Sequence, residues 1–187
     1  MQRLCGLSYQ LKPLGKRDLL KFFEHYSNDE FIMREIEETD YKLNYLSILS
    51  QLTKAPEVEP EAFKKRIREI KEESNFHLIL VLISRKTGNI VASGTIWVEQ
   101  KFIRGLGKVG HIEDIVVDTN VRGKNLGKII VEALHRIAFQ EEGVYKVILD
   151  CSEKNVPFYL KLNYKKTGNN MAIYEDVWKQ KYTPVNK

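Results

Sequence analysis

Between residues 109 and 151 the chain reads as strand, glycine-containing loop, amphipathic helix and strand, and this order constrains the fold more than any other feature. Val109 to Asp118 is rich in β-branched residues. After Arg122-Gly-Lys-Asn-Leu-Gly127, the apolar residues Leu126, Ile129, Ile130, Ala133, Leu134 and Ile137 recur at helical spacing, the helix ends near Gly143, and Tyr145 to Cys151 is again strand-like. A strand, a helix and a strand in that order imply a parallel pair with a right-handed crossover. Upstream, the patterns Phe76 to Ser84 and Ile90 to Ile103 flank a turn at Lys86-Thr-Gly-Asn89, and Gly105-Leu-Gly107 leads into Val109. Strands with such tight links are expected to be antiparallel. The class is therefore α/β with a mixed, mostly antiparallel sheet.

The remaining segments fit around this sheet. Residues 7 to 14 alternate apolar and polar and read as a first strand, with Pro13 at its end or at an edge position. Leu19, Phe22, Phe23 and Tyr26 give a helix over Arg17 to Tyr26, broken by Ser27-Asn-Asp29. Tyr41, Tyr45, Ile48, Leu49 and Leu52 form a second helical stripe, and a charged helix is expected from about Glu61 to Glu73. A last helix from Asn155 to about Leu162 and a last strand around Met171 to Tyr174 complete the alternation. At 187 residues one domain is expected, with residues 28–45 as an extra helical segment and 175–187 as a short tail.

Composition removes several classes. With 43% hydrophobic and 29% charged residues the chain is neither disordered nor fibrous. Its longest aliphatic run, Leu78 to Ile83, falls far short of the roughly 20 residues of a membrane-spanning helix. The first ten residues lack the apolar stretch of a secretory signal, so a cytoplasmic location is expected. Cys5 and Cys151 are too far apart for a disulfide framework or a zinc spacing, and the four histidines are scattered, so no metal is expected. The net charge of +5 lies in residues 154–187, where seven Lys face only Glu175 and Asp176. Such an end suits an acidic ligand, and with Tyr145, Tyr159, Tyr164 and Tyr174 it also permits a non-catalytic nucleic-acid-binding module.

Chemistry concentrates at one edge of the expected sheet. The loop from Arg122 to Lys128 opens a helix, so backbone N–H groups with Arg122, Lys124 and Lys128 can surround an anion. Its spacing matches neither the Walker nor the dinucleotide glycine pattern. Just before it, Gly110-His-Ile-Glu-Asp-Ile-Val-Val117 sets Glu113 and Asp114 in an apolar strand. Charges there need a partner or a task. Adjacent strand residues point to opposite faces, so the two act together only if a bulge re-aims one. Asp150 lies near the end of the next strand, and Asn155 and Tyr159 start the last helix.

The order of these motifs resembles the GNAT superfamily of acetyl-CoA-dependent N-acetyltransferases. Lys101-Phe-Ile-Arg104, Gly110-His-Ile-Glu-Asp-Ile115, Arg122-Gly-Lys-Asn-Leu-Gly-Lys128 and Tyr145 to Tyr159 carry the resemblance, which is nearly continuous from about Leu46 to Tyr174 and is closest to the branch acting on glucosamine 6-phosphate. It implies a GNAT fold whose parallel strands splay to hold acetyl-CoA, with helices on both faces. The pyrophosphate would lie on Arg122, Gly123, Lys124, Asn125, Leu126, Gly127 and Lys128, and the pantetheine arm along Ile115, Val116 and Val117. Asn155, Val156, Pro157 and Tyr159 would line the same co-substrate. For the amino-sugar phosphate the resemblance points to Thr53, Lys101, Phe102, Ile103, Arg104, Glu113, Asp114, Asp150 and Tyr174. Tyr159, Asp150 and Glu113 would be the catalytic groups. The family also implies a homodimer in which the last strand reaches the neighbour's site. At Tyr174 the branch places an arginine, and Arg104 is the cation expected to stand in for it. Another small amine or a protein N-terminus is the alternative acceptor.

Overall fold

His77–Ser84, sequence His-Leu-Ile-Leu-Val-Leu-Ile-Ser, is buried almost from end to end, and a strand with that profile must be covered on both faces. It is β2 of a five-stranded sheet in the computed structural model, which describes residues 16–72 and 76–175. The sheet order is β1 (Phe31–Glu35), β2, β3 (Ile90–Gln100), β4 (Lys108–Val117) and β5 (Lys146–Ile148). The first four strands are antiparallel, and β4 and β5 run parallel. Helices α1 (Lys16–Tyr26), α2 (Tyr45–Leu49), α3 (Pro60–Glu72), the single turn α4 (Ile103–Leu106), α5 (Leu126–Arg136) and α6 (Val156–Leu160) complete the order. The described chain divides into two compact units between Leu149 and Asp150.

In the first unit two apolar layers sandwich the sheet. Phe22 of α1 and Leu126, Ile130, Ala133 and Leu134 of α5 pack against Leu78, Leu80, Leu82, Ile96 and Ile112. Tyr45, Ile48, Phe63 and Ile67 from α2 and α3 cover Ile79, Val81, Ile83 and Val116 on the other layer. The helical repeat of α5 thus becomes a packing face, and its last turn widens into a π-helical turn over Ile137–Glu141.

Gly94 lets α5 lie this close to β3. A Cβ at that position would stand 2.5 Å from both Ile115 Cδ1 and Ile130 Cγ2, and 3.1 Å from Leu134 Cδ1. Ile130 is fully buried and β-branched, so it cannot turn aside. Gly94→Ala is expected to destabilise the protein by about 1–3 kcal/mol through overpacking, read as a lower urea midpoint with an unchanged denaturant slope.

Several elements differ from the sequence reading. Residues 28–45 are not an extra helical segment, because Phe31–Glu35 forms edge strand β1 with Phe31 and Met33 turned into the core. Only a short 3-10 turn at Asp40–Lys42 and the beginning of α2 are helical there. The strand expected to reach Ile103 stops at Gln100, since Arg104, Gly105 and Leu106 all take left-handed backbones. β5 is shorter than Tyr145–Cys151, and α6 occupies only Val156–Leu160, after a 3-10 turn at Glu153–Asn155. Residues 171–174 form no strand: a strand needs a neighbour for its ladder hydrogen bonds, and none of the five described strands pairs with them. The strand expected over residues 7–14, Cys5 and the tail after Glu175 lie outside the described residues. No described helix is long and apolar enough to cross a membrane.

Candidate active site

β4 carries the first candidates. Ser93 of β3 faces Val116 and Thr95 faces Glu113, so two steps along β3 oppose three along β4. The extra residue makes a β-bulge, with Asp114 in a left-handed backbone at φ 52°. Aspartate is among the few non-glycine residues that adopt this conformation readily. Regular alternation would send Glu113 and Asp114 to opposite faces, one of them into a core layer. Instead both are exposed, although Ile112 and Val116 on either side are buried.

The other edge of β4 is open over the same stretch. β5 pairs with β4 only at Val109–Lys146, Gly110–Val147 and His111–Ile148. From Ile112 to Val117 that edge has no strand partner among the described residues, so it offers backbone donors and acceptors to an extended ligand. The side chain of Val116 belongs to the core, whereas Ile115 and Val117 are half-buried against it.

β4 then runs into the glycine-containing loop. Arg122 is extended, Gly123 has φ +89° and Asn125 is left-handed at φ 59°, a sequence of angles that turns the chain abruptly into α5. Asn125 makes no side-chain capping bond. The first N–H groups of a helix have no partner within it, and the dipole there is positive. Arg122, Gly123, Lys124, Asn125 and Lys128 are exposed, and Gly127 is half-buried. Leu126 is a core residue, so only its backbone can serve a ligand. Lys124 is engaged by Glu30 and lies 5.4 Å from the Phe31 ring centre, while Lys128 Nζ is 3.7 Å from Glu132. Arg122 makes no ion pair among the described residues, which makes it the readiest cation of the three.

The residues expected to meet the sugar phosphate cluster only in part. Lys101 N donates to Gly107 O at 2.8 Å, closing the turn that holds Phe102, Ile103 and Arg104. Phe102 is 93% exposed and Ile103 63%. The Arg104 guanidinium carbon sits 5.6 Å from the Tyr145 ring centre. Thr53 is exposed just beyond α2. Two residues before it, Gln51 accepts from Thr119 N at 2.9 Å and donates to Asp118 Oδ1 at 3.3 Å, tying this segment to the end of β4.

The second unit holds the other candidates. Asp150 is exposed and its Oδ2 accepts from Asn170 Nδ2 at 2.7 Å. Asn155 precedes α6 without a side-chain cap, Val156 is half-buried and Pro157 lies in the first turn, where its missing N–H costs nothing. Tyr159 is 8% exposed and packs edge-on against Phe158 and Tyr164, at 4.9 and 5.5 Å between ring centres. Burial, with the Cys151 thiol adding to it, pushes the Tyr159 phenol up to about 12. It therefore keeps its proton at neutral pH. Burial raises Tyr164 as well, and raises the Cys151 thiol with help from Glu153 and Asp150. Tyr174 is 73% exposed.

A strand whose edge is unpaired beyond a short parallel neighbour, followed by a helix N-terminus without a side-chain cap, is an arrangement for an extended, anionic ligand. The family model described as "Acetyltransferase (GNAT) family" matches residues 22–164, and the chain belongs to that family. The match includes β1. Glucosamine 6-phosphate N-acetyltransferase 1 of Dictyostelium discoideum is 45% identical over 147 residues, spanning 79% of this chain and 92% of that protein. The glucosamine 6-phosphate N-acetyltransferase of Candida albicans is 41% identical over 142 residues, 76% of this chain and 94% of its own. The crystal structure of glucosamine-6-phosphate N-acetyltransferase from Arabidopsis thaliana superimposes with a TM-score of 0.76 at 40% identity, covering 79% of this chain and all of that one. An aminoglycoside N-acetyltransferase in complex with CoA shares the fold at a TM-score of 0.61 and 16% identity, over 80% of this chain and 97% of that one.

Gln51, Glu99 and His111 were not marked by the sequence reading. The alternation of Trp97, Glu99 and Lys101 along one strand offered a signal for Glu99, whereas His111 stood inside the Gly110 to Ile115 motif with no role assigned to it.

Proposed function

We propose that the protein transfers the acetyl group of acetyl-CoA to the 2-amino group of D-glucosamine 6-phosphate, giving N-acetylglucosamine 6-phosphate and CoA, a step towards UDP-N-acetylglucosamine. The bulge that exposes Glu113 and Asp114 beside the open edge of β4 carries this reading, since an amine acceptor needs carboxylates where an extended thioester can lie. One catalytic domain is the reading for the whole chain, because the family match runs across both compact units.

Acetyl-CoA supplies an activated thioester. The residues fit such a co-substrate: the loop from Arg122 to Lys128 offers amide donors and cations to phosphates, and the backbone of Ile115 to Val117 offers ladder-like hydrogen bonds to the pantetheine arm. Asn155, Val156 and Pro157 add to the same contact. A 2-amino sugar is less basic than lysine, so Glu113 and Asp150 need only orient the amine and accept its proton, directly or through water. Asp114 and Thr53 hold sugar hydroxyls, while Lys101 and Arg104, beside Phe102 and Ile103, take the phosphate. Tyr159 hydrogen-bonds the departing sulfur. Proximity of the two bound substrates supplies much of the remaining acceleration.

The loop assignment makes a graded prediction. Arg122→Ala is expected to weaken acetyl-CoA about tenfold through a lost charge-assisted contact, and Lys124→Ala less, because Lys124 must first leave Glu30. Calorimetry with acetyl-CoA reads both, and equal, unchanged affinities would remove the loop from the site.

A homodimer with exchanged C-terminal segments is part of the proposal, as is a cytoplasmic location suited to the exposed, free Cys151 thiol. Met171 and Ile173 are 91% and 64% exposed, apolar side chains that a second copy of the chain would cover. The deciding experiment for the activity is thiol release from acetyl-CoA with glucosamine 6-phosphate, unphosphorylated glucosamine and an amino-terminal peptide in parallel. Strong preference for the phosphorylated sugar is expected, and turnover of the peptide alone would overturn the assignment.

A further inference from the structure

Lys101 does not stand alone at the end of β3. Its Nζ donates to Glu99 Oε1 at 2.5 Å, and Glu99 Oε2 lies 3.1 Å from His111 Nε2. The strand register puts Trp97 opposite His111 and Glu99 opposite Val109, with Trp97 and Glu99 on one face of β3. The imidazole lies flat on the Trp97 indole, 4.0 Å between ring centres and 15° between planes. Lys101 and His111 together hold the Glu99 carboxyl below its usual range, so it is ionised and can only accept. His111 Nε2 therefore carries the hydrogen between them. Both carboxylate oxygens are committed, one to an ammonium and one to an imidazole fixed by its neighbour.

We propose that Glu99 is a positioning residue which, anchored by His111 and Trp97, holds the Lys101 ammonium where the substrate phosphate is received, and so strengthens the preference for phosphorylated over unphosphorylated amino sugar. The proposal rests on the reading above that Lys101 meets the phosphate. Lysine is a point charge on a flexible four-carbon stem, and ordering that stem at the moment of binding weakens affinity. Here the stem is ordered beforehand. One ammonium hydrogen is used by Glu99, which leaves two for phosphate oxygens. The negative charge of Glu99 opposes the phosphate, but it faces two donors and sits where the side chains of Glu99 and Lys101 are 34% and 32% exposed, so solvent weakens that repulsion.

The experiment compares kcat and KM for glucosamine 6-phosphate and for glucosamine in the full-length wild type, Glu99→Gln, Lys101→Ala and the double variant. Glu99→Gln is expected to raise the KM for the phosphorylated sugar about tenfold, the cost of ordering a free lysine stem. Turnover at saturation and the KM for glucosamine should stay within about twofold. Added to Lys101→Ala it should change nothing more, because it acts through Lys101. A KM for glucosamine 6-phosphate that stays the same or falls in Glu99→Gln, while Lys101→Ala raises it selectively, overturns the positioning role and leaves the phosphate reading intact. Equal effects of Lys101→Ala on both sugars overturn the phosphate reading itself. Melting temperatures check that each variant folds. If Glu99→Gln does not, His111→Ala loosens Glu99 from its other side, and a smaller selective rise of the same KM is expected or the proposal fails.

Discussion

Tyr159→Phe is expected to lower kcat about a hundredfold, the usual effect of removing one well-placed proton donor or hydrogen-bond donor from a transition state, with little change in the KM for acetyl-CoA. The ring remains, so packing against Phe158 and Tyr164 survives and only the O–H is lost. An alkyl thiol has a pKa of about 8.5, so a thiolate leaving at neutral pH benefits from a donor close to its sulfur. Burial keeps the Tyr159 phenol protonated to about 12, and it is therefore a donor throughout the physiological range. Single-turnover kinetics at saturating substrates measure the effect. Unchanged turnover together with a lower melting temperature would make Tyr159 a packing residue.

The same burial has a consequence for stability. Tyr45 is also pushed up to about 12, chiefly by burial, so between pH 10 and 12 the folded chain keeps phenolic protons that the unfolded chain has released. The unfolded state then binds fewer protons, and stability falls as pH rises through that window. Below about pH 10, the ordinary tyrosine value, this contribution is fully present.

How much of this could be read from the amino acids depended on whether the signal was local. α3 and α5 follow from their periodic apolar residues, and β2 to β4 from runs of β-branched residues between turns. The loop at Arg122 to Lys128 was legible because glycine and a following helix mark a turn wherever they occur. β1 was not, because Phe31-Ile-Met-Arg-Glu35 is too short to show alternation and its pairing with β2 is a tertiary fact. Nor was the bulge at Asp114, which depends on where β3 and β4 fall into register: Glu113 and Asp114 were visible as misplaced charges, but not as two exposed carboxylates. Glu99 was invisible as a site residue for the opposite reason. On its own it is an ordinary polar position of an alternating strand, and only the fold brings His111 to its second oxygen.

Asp40→Ala is expected to remove about 3–5 kcal/mol of stability, as for a broken buried ion pair, a large share of the roughly 5–15 kcal/mol of a typical protein. Asp40 is completely buried. Its two oxygens take the Arg34 guanidinium in a forked pair at 2.6 and 2.7 Å, and Oδ2 also accepts from the Glu37 backbone at 2.8 Å. Arg34 Nη1 donates in addition to Glu35 O at 2.8 Å, and Asp40 raises the arginine's already high pKa, so the guanidinium stays charged at any attainable pH. Alanine would leave that charge half-buried and unpaired, and would leave the Glu37 N–H without its acceptor. The alternative is that the pair stabilises little because water solvates Arg34. It predicts a small loss, whereas the geometry predicts a large one. Replacing both partners, Arg34→Met with Asp40→Leu, should destabilise less than Asp40→Ala alone, since no charge is then stranded. Chemical denaturation of the three variants distinguishes these cases. Since Asp40 lies outside the proposed chemistry, kcat measured well below the melting temperature should stay near that of the wild type in Asp40→Ala. A large fall in kcat with unchanged stability would move Asp40 from the frame of β1 and α2 into the working site.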